Sequence, residues 1–378
     1  MVDRSRRLIS LDVFRGITIA GMIMVNNPGS WSHLYPPLAH AAWHGWTPTD
    51  LVFPFFLFIV GVAMTYSFGS MIRKGLTKNQ IYKKVAIRSL LLFAIGLGMA
   101  IFPLVRFEPL RLYDFSTMRI MGVLQRIALC YFFASLIYLE WRKPLQQAAW
   151  GAGLIIFYWI IMMTVPVPGY GAGELTMEGN LATYIDKLIM PGHLWKPGWD
   201  PEGLLSTIPA IATVIFGILT GHILHAERSK EQKANSLFVA GLLTLTAGLI
   251  ADHWFPINKG LWTSSYVLFT GGFAMLFLGV CYWLIDIKGY TKGTKLFVML
   301  GMNALAVYVM SSLTAKLLYV IPLPEAWGAT TIKGLIYNQL ILPLASPINA
   351  SLLFALLYVL FWTVVMAVFY RKKIFIKI

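Results

Sequence analysis

Apolar runs of about 17–25 residues, separated by short polar or basic stretches, follow one another along almost the whole chain. They lie near 9–27, 49–70, 88–105, 119–139, 146–166, 204–224, 236–253, 264–285, 296–320 and 350–370. Each is long enough to cross a hydrocarbon layer ~30 Å thick as a helix. The pattern predicts an all-α, polytopic integral membrane protein with about ten transmembrane helices, forming one transmembrane domain over residues 1–378. Neither a low-complexity tract nor a convincing internal repeat interrupts it. The first run is read as a retained span rather than a cleaved signal, because Asp12 and Arg15 interrupt it and no suitable A-x-A site follows.

An even number of crossings returns both termini to one side. The basic clusters Arg4/Arg6/Arg7, Arg73–Arg88, Arg142/Lys143, Arg228–Lys233, Lys288–Lys295 and Arg371–Lys377 then share that side and hold most of the 31 Lys and Arg residues. Such a bias makes it cytoplasmic and supports ten spans independently of hydropathy. Composition agrees: 58% of the 378 residues are hydrophobic and 12% charged, against about 25% charged in a soluble domain, and mean hydropathy is +0.69. The formal net charge of +15 would suit nucleic acid, but its distribution between spans is an orientation signal, so no nucleic-acid partner is expected. Cys130 and Cys281 fall in apolar runs and form no CxxC, which supports neither a disulfide framework nor a thiolate metal site.

The chemistry gathers on the opposite face, in loops 28–48, 106–118, 167–203, 254–263 and 321–349. Asn26, Asn27, His33, His40, His44 and Asp50 fall between the first two spans, His193 lies in the third loop, and His253 ends a span facing the same way. Histidine titrates close to neutral pH and is the usual acid–base side chain. HExxH-type spacing is absent and acidic companions are few, so no metal site is expected. Asp50, in Thr47-Pro48-Thr49-Asp50, reads first as a helix-start residue, and Asp200-Pro201-Glu202 has the same grammar before the sixth span. Trp31, Trp43, Trp46, Trp195, Trp199, Trp254 and Trp262 fit an interfacial aromatic belt, although an indole face also stacks on a sugar ring. Arg126 is the costly residue: it sits inside a span with no local acid, where a lone cation costs about 3 kcal/mol. It requires a distant carboxylate or an anionic ligand. Arg15 has Asp12 one turn away.

Seven segments, RLISLDVFRG, VNNPG, HAAWHGWTPTDLVFPFFLFIVG, GVLQRIALCYF, DPEGLLSTIPAI, FPINKGLWTSSYVLFTGG and LGMNALAVYV, occur in order from residue 7 to about 309. Together they resemble the heparan-α-glucosaminide N-acetyltransferase family and its bacterial relatives. The resemblance implies transfer of acetyl from acetyl-CoA to the amine of glucosamine, or of a glucosamine-containing glycan, on the non-cytoplasmic side. The family's H-A-x-W histidine matches His40, and its functional asparagine matches Asn26. Arg15, Arg88, Gln125 and Arg126 are the expected contacts to CoA, and Trp43, Asp50, Asn258 and Trp262 those to the acceptor. The chain starts close to its first span, where the animal lysosomal enzyme carries a further lumenal region, which favours a small amino sugar or a bacterial glycan as acceptor. His40 serves as general base in a ternary complex or as an acetyl carrier. The expected partners are membrane lipids, CoA and an amino sugar in a bacterial inner (plasma) membrane, and a homodimer is compatible. A sugar transporter or an O-acyltransferase acting on an envelope glycan is the rival reading.

Overall fold

A computed structural model describes residues 8–107, 110–324 and 330–376. The basic cluster Arg4/Arg6/Arg7 and Lys377 lie outside the described residues. The chain folds as α1 (Ile9–Asn26), α2 (Val52–Arg73), α3 (Lys78–Ile101), α4 (Val123–Glu140), α5 (Pro144–Thr164), α6 (Leu181–Ile189), α7 (Thr207–His225), α8 (Lys230–Ala251), α9 (Ser264–Tyr282), α10 (Thr294–Met302), α11 (Ala304–Val320), a short α12 (Ile332–Gly334) and α13 (Pro347–Arg371). Its described strands are the antiparallel pair β1 (Val105–Phe107) and β2 (Leu110–Leu112), in an outer loop. A helix pairs its own backbone groups, which is what apolar surroundings require. Polar residues set the ends. Thr77 and Gln80 exchange side-chain and backbone hydrogen bonds ahead of α3, and Ser229 and Gln232 do the same ahead of α8. Pro144 and Pro347 occupy first-turn positions.

Among the described residues, nine helices are long and apolar enough to cross a membrane, and a bent pair makes ten. The protein is therefore an all-α polytopic membrane protein. The span expected as one piece at 296–320 is that bent pair: α10 and α11 meet at 80°. Polar groups hold the break. Arg15 Nη1 donates to Gly301 O at 3.3 Å. Asn303 donates through Nδ2 to Ile374 O at 3.1 Å and accepts from Ile376 N at 3.0 Å. The side chain in the break thus pairs with the tail of the chain, and the start of α1 and the end of α13 lie together beside it.

Two further starts differ from expectation. Helix α3 begins ten residues earlier than the apolar run, because its capping box lies in the polar stretch before it. Helix α4 begins at Val123, leaving Arg119 in an extended lead-in. Helices α1, α2, α4, α7 and α9 are mostly buried, whereas α3, α5 and α8 turn most of their surface outward. Helices α2 and α7 touch backbone to backbone: a Cβ on Gly61 would lie 2.0 Å from Val214 O, and one on Gly217 2.0 Å from Phe58 O. Small residues permit this approach. It fixes the loop ahead of α2, with Asp50, against the segment ahead of α7, with Glu202.

Candidate active site

Asp50 organises the loop between α1 and α2. The stretch Pro48–Leu51 is a single 3-10 turn begun by Thr47 and Pro48, and Asp50 Oδ2 accepts from Thr47 N and Ala41 N, each at 3.0 Å. Its other oxygen, Oδ1, lies 2.6 Å from His40 Nδ1. The Asp50 backbone carbonyl accepts from Tyr266 Oη at 2.5 Å. The helix-start role expected for this carboxylate is realised, and the same group holds the histidine. Asp50 is 1% exposed, while the His40 side chain is 46% exposed. With Nδ1–H donated to the carboxylate, Nε2 is the nitrogen left to accept a proton.

A third group enters from the loop between α8 and α9. Lys259 Nζ lies 3.1 Å from His40 Nδ1, 3.4 Å from Nε2 and 3.6 Å from Asp50 Oδ1. Asn258, beside it, is fully buried; it accepts from Leu261 N at 2.9 Å, and its own N–H donates to Thr263 Oγ1 at 3.0 Å. These bonds fold the loop tightly enough to hold Trp262 at a φ of +53°, in the left-handed region that few large side chains adopt. Burial holds the Lys259 ammonium below its ordinary value, against the pull of Asp50 and Glu202 in the other direction. Asn258 Nδ2 also reaches His44 Nδ1 at 3.3 Å. The His44 imidazole is held below its ordinary value by burial, with Asp252 opposing.

These groups line a cavity of about 670 Å³, within the size range of small-molecule sites. Asn26, at the end of α1, opens onto it, as do Trp43, Trp195 and Trp199, Arg119, Glu202 and Tyr308. The tryptophans stand edge to face, with ring centres 5.6 Å apart for Trp43 and Trp199 and 5.7 Å for Trp195 and Trp199. Trp43 Nε1 donates to Leu175 O at 2.8 Å, which ties the aromatic wall to the long outer loop. Asp200 and Glu202 were expected to cap the sixth span, yet α7 begins only at Thr207. Both carboxylates hold Arg119 instead: its Nε donates to Asp200 Oδ2 at 2.8 Å, and its Nη2 to Asp200 Oδ1 at 2.5 Å and to Glu202. Burial would weaken the charge on Arg119, but the two carboxylates outweigh it and drive the pKa up.

Four of the expected site residues therefore meet at one cavity: Asn26, His40, Trp43 and Asp50. Asn258 and Trp262 are fully buried behind the Lys259 loop. Trp262 Nε1 donates to Thr213 Oγ1 at 3.2 Å, and the Arg126 guanidinium lies 5.0 Å from its ring centre. Arg126 is itself fully buried. Its Nη2 donates to Gly203 O at 3.0 Å and to Ser206 Oγ, while Nε and Nη1 have no hydrogen-bond partner among the described residues. Nearby Asp186 is pushed up to about 6 by burial, against a bond from Leu204 N and the charge of Arg126. Gln125 is wedged against Gly96 of α3 and Gly122. Arg88, exposed, lies over the Tyr131 ring at 4.9 Å. Arg15 pairs with Asp12 at 3.5 Å and reaches the α10–α11 break. None of these four residues lines the cavity that holds His40.

Sequence reasoning did not single out Lys259, Arg119 or Tyr308. Lys259 and Tyr308 stand inside two of the seven family-like segments, FPINKGLWTSSYVLFTGG and LGMNALAVYV, which was the available signal for them; Arg119 had only its distance from the basic clusters.

The family model for the catalytic region of heparan-alpha-glucosaminide N-acetyltransferase matches residues 7–249. The chain is 32% identical over 354 residues to the heparan-alpha-glucosaminide N-acetyltransferase of Homo sapiens, covering 80% of this chain and 52% of that protein. It is 31% identical over 356 residues to that of Mus musculus, with coverage of 81% and 53%. The chain spans about half the length of the curated relatives it matches.

Proposed function

The chain belongs to the heparan-α-glucosaminide N-acetyltransferase family, and from that premise we propose that it moves acetyl from acetyl-CoA to the amine of glucosamine or a glucosamine-containing glycan. The reaction takes place at the non-cytoplasmic face of a bacterial inner membrane, with both termini in the cytoplasm. The observation that carries the reading is the His40–Asp50 pair at 2.6 Å on the wall of a cavity.

Acyl transfer from a thioester to an amine needs a base for the amine proton and donors for the developing oxyanion. Asp50 keeps the proton on Nδ1, so Nε2 takes the amine proton. Asn26 supplies an amide to orient a substrate carbonyl or the amine. Trp43, Trp195 and Trp199 offer faces and edges to a sugar ring, with Trp43 as the expected acceptor contact. Direct transfer is favoured over an acetyl-histidine, since a base asks less of the site than a reactive acyl-imidazole kept from water. Arg126 and Trp262 act from beneath: the guanidinium grips Gly203 and stacks on Trp262, steadying the segments that carry Glu202 and Lys259. Arg15, Arg88, Gln125 and Arg126 are the contacts proposed for the anionic and amide parts of CoA, on the strength of their charge and hydrogen-bonding groups.

Purified protein in nanodiscs, given labelled acetyl-CoA and a panel of amino sugars, should yield an N-acetylated sugar. Labelled sugar crossing the membrane with no product would mean a transporter, and a hydroxylamine-labile ester an O-acyltransferase.

A further inference from the structure

The proposed reaction uses His40, Asp50 and Asn26, and leaves unexplained a half-buried cation that touches both ring nitrogens of the base. Lys259 is held by a loop whose geometry Asn258 and Thr263 fix, and its neighbour Gly260 is packed against Trp43 and Trp199, where a Cβ would lie 3.0 and 2.8 Å from their rings. The backbone that carries the amine is thus fixed, and the movement left to it is that of its own side chain. Its side chain is 21% exposed, and it lines the cavity. Nδ1 gives its proton to Asp50, so the ring atom able to accept from Lys259 is Nε2, at 3.4 Å. That is the lone pair a base must offer to the substrate. At that distance the lysine competes with a substrate for it.

We propose that Lys259 is a further catalytic residue of this site: it covers the base in the empty cavity and, once substrates are bound, moves its N–H onto the oxygen of the reacting thioester. The inference rests on the acetyltransfer reading. As the amine nitrogen attacks the carbonyl carbon, an N–C bond forms and the carbonyl electron pair moves onto oxygen, where Lys259 donates a hydrogen bond. His40 Nε2 takes the proton released by the amine. The C–S bond then breaks, the pair returns from oxygen to carbon, and the departing thiolate takes its proton from the imidazolium. Amine and thioester become amide and thiol, with atoms and charge balanced. Both groups line the same cavity, so once the amine has left Nε2 a reacting atom can sit about 3 Å from each. A donor aimed at developing charge in a shielded cavity contributes about 10²–10³-fold in rate.

The test compares wild type, Lys259→Met and Lys259→Arg in nanodiscs. Lys259→Met should lower kcat by about 10²–10³-fold with acetyl-CoA binding unchanged, and Lys259→Arg should recover part of the loss. Diethylpyrocarbonate labelling, read at His40 by peptide mass spectrometry, separates this from a structural role. Uncovering Nε2 should make His40 label faster in Lys259→Met even as transfer falls, whereas a distorted site would slow both. Wild type that transfers, beside a Lys259→Met protein of near-normal kcat or with slower His40 labelling, overturns the role of Lys259 alone. Wild type that transfers no acetyl removes the reading on which the role rests.

Discussion

Replacing Asp50 by Asn removes one charge and almost no volume, and it should stop transfer while leaving the fold standing. Asp50 Oδ2 accepts from two backbone N–H groups at 3.0 Å, and Oδ1 faces His40 Nδ1 at 2.6 Å. A side-chain amide offers one acceptor oxygen and one donor nitrogen. The fixed donors of Ala41 and Thr47 hold the oxygen on their side, so the NH2 has to face His40. Nδ1 can then only accept, the ring proton moves to Nε2, and the nitrogen facing the cavity can no longer take a proton. The loss should equal the general-base contribution, about 10²–10⁴-fold in kcat, with acetyl-CoA affinity little changed. Stability should fall by only about 1 kcal/mol, the difference between a charge-assisted and a neutral hydrogen bond. Single-turnover transfer and thermal unfolding in the same nanodiscs measure the two effects. An Asp50→Asn protein that melts normally and keeps kcat within about tenfold of wild type, well inside the expected loss, would refute the assignment of His40 as an Asp50-oriented base.

His40→Ala should abolish transfer with acetyl-CoA binding intact, while His44→Ala, whose ring meets Asn258 rather than the base, should be much milder; the ratio of the two kcat values checks this. Transfer should also fail on the alkaline side, as pH rises through a Lys259 pKa held below the ordinary 10.5 by burial, with Asp50, Glu202, His40 and Arg126 as the charged and titratable groups around it. In Lys259→Arg that limb should leave the accessible range, because arginine does not titrate there. Asp186 should make the fold more stable in mild acid than at neutral pH. Its folded pKa of about 6 lies above the ordinary 3.8, so its favourable protonation is complete below 3.8 and is lost as pH rises to about 6. Asp186→Asn should therefore raise the melting temperature at pH 7 and flatten its dependence on pH across that window.

What the sequence made legible was whatever one segment decides by itself. Apolar length and basic clusters yield the spans, and the Thr47–Asp50 grammar yields a helix start. The seven family-like segments yield His40 and Asn26, at the cavity where the structure places them. Pairings between segments were not legible. Lys259 meets His40 across 219 residues, and Arg119 meets Asp200 across 81. Both contacts exist only because α2, α7 and the α8–α9 loop pack in one particular way. The break between α10 and α11 escaped the pattern for the same reason. A run of apolar residues has the same hydropathy whether straight or bent, and Asn303 bends it by bonding to Ile374 and Ile376 far along the chain. Asp50 shows why separating structural from functional roles by sequence grammar misleads. Capping fixes a carboxylate with backbone donors, and a carboxylate so fixed is also a rigid acceptor for an imidazole. In a cavity wall the two duties need the same geometry, and that geometry makes the capping residue the natural partner for the base.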